Sequence, residues 1–185
     1  MEYLIFTCIA AIAAFLFEYR LRKPDEIIIR EIRDGIGIRR GRWYPRHTSL
    51  PLNRSTFSFT QTIDASAKGN VDLRVRLSVT VAPSLKDLSV LIRGGGWRTD
   101  AVMRTSKELE TLLLGFVKAY TERYELEEVS SEKVREYLLT QTNATKQALG
   151  LEIVAMTVSS LEPVNAQIAE AMRQREHARI LEQAE

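Results

Sequence analysis

The sequence predicts an α+β protein behind one N-terminal hydrophobic helix, and three observations lead there. Tyr3 to Phe17 (YLIFTCIAAIAAFLF) runs fifteen residues without a charge. Val71 to Val81 alternates apolar and polar residues with a period of two. Downstream of that run, apolar residues recur at spacings of three and four. Strand patterning followed by helix patterning, without regular alternation of the two, marks the α+β class. The 185 residues give room for an ordinary domain plus an appendage, divided here into an anchor at 1–22, an α+β body at 23–162 and a charged helix at 163–185.

The opening run is expected to be a single transmembrane helix, with Tyr3, Leu4, Ile5, Phe6, Ile9, Ile12, Phe15, Leu16 and Phe17 in lipid. A secretory signal would carry its positive charges ahead of the apolar run. Here only Glu2 precedes it, and Arg20, Arg22 and Lys23 follow. Ala11-Ile12-Ala13 imitates a cleavage site, so a cleaved signal stays open as an alternative, as does a helix buried in a soluble core. A ~30 Å hydrocarbon layer takes ~20 residues, which makes this run short. Local thinning of the bilayer, or outward reach of Arg20 and Arg22, would make up the difference. Tyr3 and Tyr19 would then stand ~24 Å apart along a helix, suiting two interfacial aromatics. Lys and Arg gather on the cytoplasmic side of such segments, so the folded part is expected in the cytoplasm with the N-terminus outside the cell membrane.

After the anchor, Glu26 to Trp43 contains two β-rich runs meeting at Asp34-Gly35, a hairpin-turn dipeptide. Ser55 to Asp64 is a second extended stretch, and Lys68-Gly69-Asn70 leads into the clearest strand of the chain. Its apolar residues are Val71, Leu73, Val75, Leu77, Val79 and Val81; their alternates Asp72, Arg74, Arg76, Ser78 and Thr80 form a polar face. That is a half-buried antiparallel strand, ended by Pro83. Ser84 begins a helical pattern through Leu85, Leu88, Leu91 and Ile92, broken by Gly94-Gly95-Gly96. Ala101 to Tyr124 predicts a longer helix, and Ser130-Ser131 offers the N-cap of another reaching Leu149, with Gly150 as the C′ residue. Leu151 to Leu161 is extended again, and Pro163 is expected to open the last helix. Its apolar stripe of Val164, Ile168, Ala171 and Met172 gives way to RQREHARILEQAE. Such a helix is solvated or packs against copies of itself, so Val164, Ile168, Met172 and Leu181 are the positions expected to mediate self-association.

In this order the pieces resemble an SPFH-domain protein, the group of stomatin, prohibitin and flotillin. The residues that carry the resemblance are the anchor with its basic flank, and the Glu26–Gly41 hairpin ending in Arg39-Arg40-Gly41-Arg42. The VDLRVRLSVTV strand, the Leu149–Val154 junction and the stretch Pro163 to Ala169 complete the set. The resemblance implies a membrane-anchored scaffold or chaperone-like protein without catalytic residues. It implies homo-oligomers and support of a larger complex, such as a membrane protease, a channel or a respiratory assembly. Most members continue into a far longer coiled coil than Pro163 to Glu185, which keeps open a smaller oligomer or an accessory subunit bound to one complex.

Few residues of the chain have the make-up of a catalytic or metal centre. One cysteine, Cys8, and two histidines, His47 and His177, leave almost no material for a metal or acid–base centre, so neither cofactor nor metal is expected. Gly35-Ile36-Gly37 has Arg40 where a dinucleotide loop needs its third glycine, and Gly94-Gly95-Gly96 lacks the Lys-Ser/Thr of a P-loop. No nucleophile elbow is present, Glu127-Glu128 falls at a solvated helix joint, and an enzyme is not expected. Charge is informative. Arg20 to Arg46 holds nine cations against four carboxylates, an excess of +5 in a chain whose net charge is +2. Arg39, Arg40, Arg42 and Arg46 interleaved with Trp43 and Tyr44 have the make-up of a nucleic-acid surface. They follow the anchor closely, however, where anionic headgroups attract each basic side chain by ~1 kcal/mol. Arg20, Arg22, Lys23, Arg39, Arg40 and Arg42 are therefore expected to meet membrane lipid, not nucleic acid, with a solvated rim as the plain alternative.

Overall fold

The structure, a computed structural model, describes residues 2–33, 35–171 and 174. The chain begins with helix α1 (Glu2–Glu18) and strands β1 (Tyr19–Leu21), β2 (Glu26–Ile32), β3 (Gly35–Arg39), β4 (Trp43–Pro45) and β5 (Leu50–Asn53). Strands β6 (Phe57–Ala67) and β7 (Val71–Pro83) follow. Helices α2 (Leu88–Gly95), α3 (Ala101–Thr121) and α4 (Ser131–Leu149) lead to strand β8 (Leu151–Pro163). The class is α+β with antiparallel sheets, as the patterning predicts. Two compact units share the chain: Met1–Phe57 with Ala82–Ser106 and Gln147–Glu152, and Ser58–Val81 with Lys107–Lys146 and Ile153–Glu185.

In the first unit β2 lies between β3 and β5, antiparallel to both. Ile27, Ile28 and Ile29 are all buried, so this strand is covered on both faces. The expected β2–β3 hairpin is present, with Ile32 opposite Gly35. Gly35 holds φ +134, a region that L side chains rarely adopt. Leu50, Leu52, Leu88, Leu91, Ala101 and Leu151 add to the buried apolar set. Gly150 is the C′ residue expected after α4, at φ +64. It is also a point of close approach: an added Cβ would lie 2.5 Å from Leu91 N and 2.6 Å from Asp87 O.

The second unit carries the sheet β6-β7-β8. Ser58 meets Thr80, Asp64 meets Arg74 and Ser66 meets Asp72, each at 2.9 Å, so β6 advances as β7 retreats. The pair is antiparallel, joined by a turn at Gly69 (φ +93) and Asn70 (φ +59). On β7 the alternation holds: Leu73, Val75, Leu77, Val79 and Val81 are fully buried while Asp72, Arg74 and Arg76 are exposed. Leu109, Leu113 and Val117 of α3 and Val134 and Leu138 of α4 recur at helical spacing and are buried. Ser130 caps α4 as predicted, its Oγ accepting from Lys133 N–H at 3.3 Å.

Several elements depart from expectation. Strands β1, β4 and β5 are additional to those predicted. Helix α2 starts at Leu88, not Ser84, because Ser84 Oγ donates to Asp87 Oδ2 at 2.9 Å and holds a turn there; Leu85 stays exposed. The triple glycine ends α2 as expected, at Gly95 with Gly96 (φ +82) as the C-cap residue. Gly95 is buried, and a Cβ added there would sit 2.5 Å from Ala101 O, an approach that only glycine allows. Pro163 ends β8 and opens no helix. Asn165 caps the helical turn at 166–171, with Oδ1 accepting from Gln167 N–H at 2.9 Å and the carbonyl accepting from Ala169 N–H at 3.0 Å.

Candidate membrane-attachment site

Every described side chain from Ile5 to Phe17 is exposed. Ile5, Phe6, Ile9, Ile12, Phe15, Leu16 and Phe17 range from 46% to 76% exposure. Tyr3 and Leu4 lie in the same helix. A surface helix of a water-soluble body keeps a charged face, and α1 carries charge only at Glu2 and Glu18. Its 17 residues reach ~25 Å at ~1.5 Å per residue, short of a ~30 Å hydrocarbon layer. Among the described residues no helix is long and apolar enough to cross a membrane, so the expected single transmembrane span is not supported. The cause is local. Tyr19, Arg20 and Leu21 leave the helix to pair with Pro45, Tyr44 and Trp43, and Arg46 N–H donates to Glu18 O at 2.8 Å. Backbone committed to this ladder cannot extend α1 to Arg22. The expected helical spacing of Tyr3 and Tyr19 fails with it.

The foot of the helix is aromatic. Phe15 stacks on Tyr19, with centroids 4.7 Å apart, and tilts against Trp43 at 5.6 Å. Trp43 and Leu21, opposite one another in the ladder, remain exposed. Beside them Tyr44 is buried; burial raises its pKa, Glu26 adds to the rise, and Arg20 opposes it. His47 Nε2 lies 3.7 Å from Glu18 Oε2.

Beyond the aromatic group the two chain links on either side of the ladder converge. Arg22 N–H donates to Arg42 O at 2.7 Å. Arg22, Lys23, Pro24, Arg40, Gly41 and Arg42 line a cavity of about 290 Å³. Of the six cations expected at headgroups, these four come together. Arg20 stands exposed on β1 opposite Tyr44, and Arg39 is half-buried at the end of β3 opposite Ile28. Sequence reasoning found the basic residues but not their convergence, which depends on pairing between segments more than twenty residues apart.

The other candidates are less concentrated. A cavity of about 390 Å³ in the second unit is lined by Asp64, Asp72 and Glu122 against Arg74 and Lys118; its charges compensate one another, as in Asp64–Arg74 at 2.9 Å. Of the positions expected to mediate self-association, Val164 is exposed and Ile168 half-buried, while Met172 and Leu181 lie outside the described residues, as does His177. Among the described residues no group of three or more His, Cys, Asp or Glu is placed to hold a metal ion. Glu127 and Glu128 sit exposed on a 3₁₀ turn. Comparison with protein-family models and with curated proteins gives no match to this chain.

Proposed function

We propose that this chain is a non-catalytic, membrane-attached scaffold of the stomatin and prohibitin kind, inserted in lipid through α1 and assembling with itself or with a larger membrane complex. The observation that supports attachment most is α1 itself, with its large apolar side chains from Ile5 to Phe17 exposed, and leading into an aromatic foot and a basic cavity. That succession matches a bilayer read from hydrocarbon through interface to anionic headgroup. The basic side would face the cytoplasmic leaflet, where anionic lipid concentrates, with the α+β units on that side. The β2–β3 hairpin, the long alternating β7 and the Gly150 junction into β8 support the resemblance in element order.

The reading is tested by fractionating cells that express the full chain. It should sediment with membranes, resist high salt and alkaline wash, and come away with detergent. Recovery of the full-length chain in the aqueous fraction would defeat it. Sizing the detergent-solubilised protein then separates a discrete homo-oligomer, the scaffold, from a monomer that associates only with another complex.

A further inference from the structure

Resting on the attachment reading, the geometry points to the cavity beside the β1–β4 ladder as a binding site for a phosphomonoester group, held by Arg22, Lys23, Arg40 and Arg42. These four cations line about 290 Å³ together with Pro24 and Gly41. The carboxylate of Glu26 stands 3.9 Å from Lys23 Nζ, and with Asp25 the two segments hold four cations against two carboxylates, an excess of +2. Freely solvated arginines would spread apart. Here the backbone holds them, because Leu21 pairs with Trp43 and Arg22 N–H donates to Arg42 O. Arg22 Nε also donates to Glu26 O at 2.8 Å, which fixes its guanidinium. Among the described residues no carboxylate is ion-paired with Arg40 or Arg42.

A ligand that satisfies this cluster needs more than one negative charge and several acceptor oxygens in a small volume. A phosphomonoester carries a charge of about −1.5 to −2 at neutral pH and three strong acceptors. Guanidinium forks match phosphate oxygens two at a time. A phosphodiester or a carboxylate brings one charge. The cavity lies just below the ~300–1,000 Å³ typical of pockets for drug-sized ligands, which favours a compact headgroup. Its neighbours Leu21 and Trp43 are the exposed residues at the foot of α1, the level of headgroup phosphates when α1 is in lipid. The same chemistry is presented by a phosphomonoester lipid and by a soluble phosphate ester.

Full-length protein is floated with vesicles of phosphatidylcholine alone, or of phosphatidylcholine with phosphatidic acid or with phosphatidylglycerol at matched surface charge. In parallel, glycerol phosphate is titrated against the protein in neutral detergent. Trp43 fluorescence is read in a Trp97→Phe background. One further charge-assisted hydrogen bond predicts a preference of about tenfold for phosphatidic acid over phosphatidylglycerol. In Arg40→Gln/Arg42→Gln, whose thermal midpoint is checked separately, the ratio should fall to about one. A saturable response to glycerol phosphate without the lipid preference assigns the site to a soluble ester. Equal binding of the two anionic vesicles with no glycerol phosphate response overturns the site, and so does a preference that survives the double substitution. Failure to float on any vesicle counts against attachment alone, because the detergent titration still decides the site.

Discussion

Lysine placed in the middle of α1 should expel the protein from lipid, and the exposures set how many lysines are needed. The seven large apolar side chains of α1, exposed by 46% to 76%, together present roughly four side chains' worth of apolar surface. At ~1.5–3 kcal/mol per fully buried side chain, insertion gains ~6–12 kcal/mol. Exchanging Ile for Lys near a helix centre costs ~3–4 kcal/mol on the insertion scale. Ile9→Lys alone should thus lower partitioning by ~10²–10³-fold yet leave measurable binding. Ile9→Lys/Ile12→Lys costs ~6–8 kcal/mol, comparable with the whole gain, and should abolish it. Both side chains are 59% exposed, so the double variant should keep the wild-type circular dichroism and thermal midpoint. The assay is flotation with phosphatidylcholine vesicles, with Ile9→Leu as the control that binds normally. A double variant that floats like the wild type would refute the reasoning, since hydrocarbon could not then be what α1 contacts.

Further outcomes follow from the two units. Gly150→Ala should destabilise by ~2–4 kcal/mol, combining a left-handed backbone that disfavours Cβ with overpacking against Leu91 and Asp87; a denaturant midpoint measures it. Leu77→Ala should cost ~2–5 kcal/mol, while its exposed neighbour Arg76→Ala stays within ~0.5 kcal/mol, a contrast that checks the facing of β7. Burial raises the pKa of both Tyr44 and Tyr120, with Glu26 adding to the first and Tyr124, Glu128 and Glu136 to the second. A folded pKa above the unfolded one gives stability that is complete below the unfolded value of about 10 and is lost as pH rises through the folded value. Thermal midpoints should therefore begin to fall above pH ~10, and Tyr44→Phe/Tyr120→Phe should flatten that fall.

What was legible in the sequence is what local pattern decides. The alternation of β7 is written in eleven consecutive residues, and Ser130 and Gly150 mark the ends of α4 through conformations that few other residues supply. The β2–β3 hairpin rests on Gly35, the first residue of β3, opposite Ile32 at the end of β2. The missed elements depend on distant partners. Tyr19–Leu21 has no strand pattern of its own and leaves the helix because Trp43–Pro45 completes its ladder. Strand β5, four residues including a proline, exists as the antiparallel neighbour of β2. The end of α1 and the convergence of Arg22 and Lys23 with Arg40 and Arg42 follow from that same ladder, so periodicity within the N-terminal run could reveal neither. At Pro163 two local signals competed. The side chain of Asn165 made the cap, and proline served as the last residue of a strand.

The depth of Trp43 in a bilayer tests attachment most directly. Full-length protein carrying Trp97→Phe is reconstituted into phosphatidylcholine vesicles whose acyl chains are brominated at graded depths, and the remaining tryptophan is read by quenching. With α1 in hydrocarbon and Trp43 at its aromatic foot, emission should shift to the blue and be quenched best by the shallowest bromines. Emission that stays at its aqueous wavelength, with no quenching from bromine at any depth, would contradict insertion of α1.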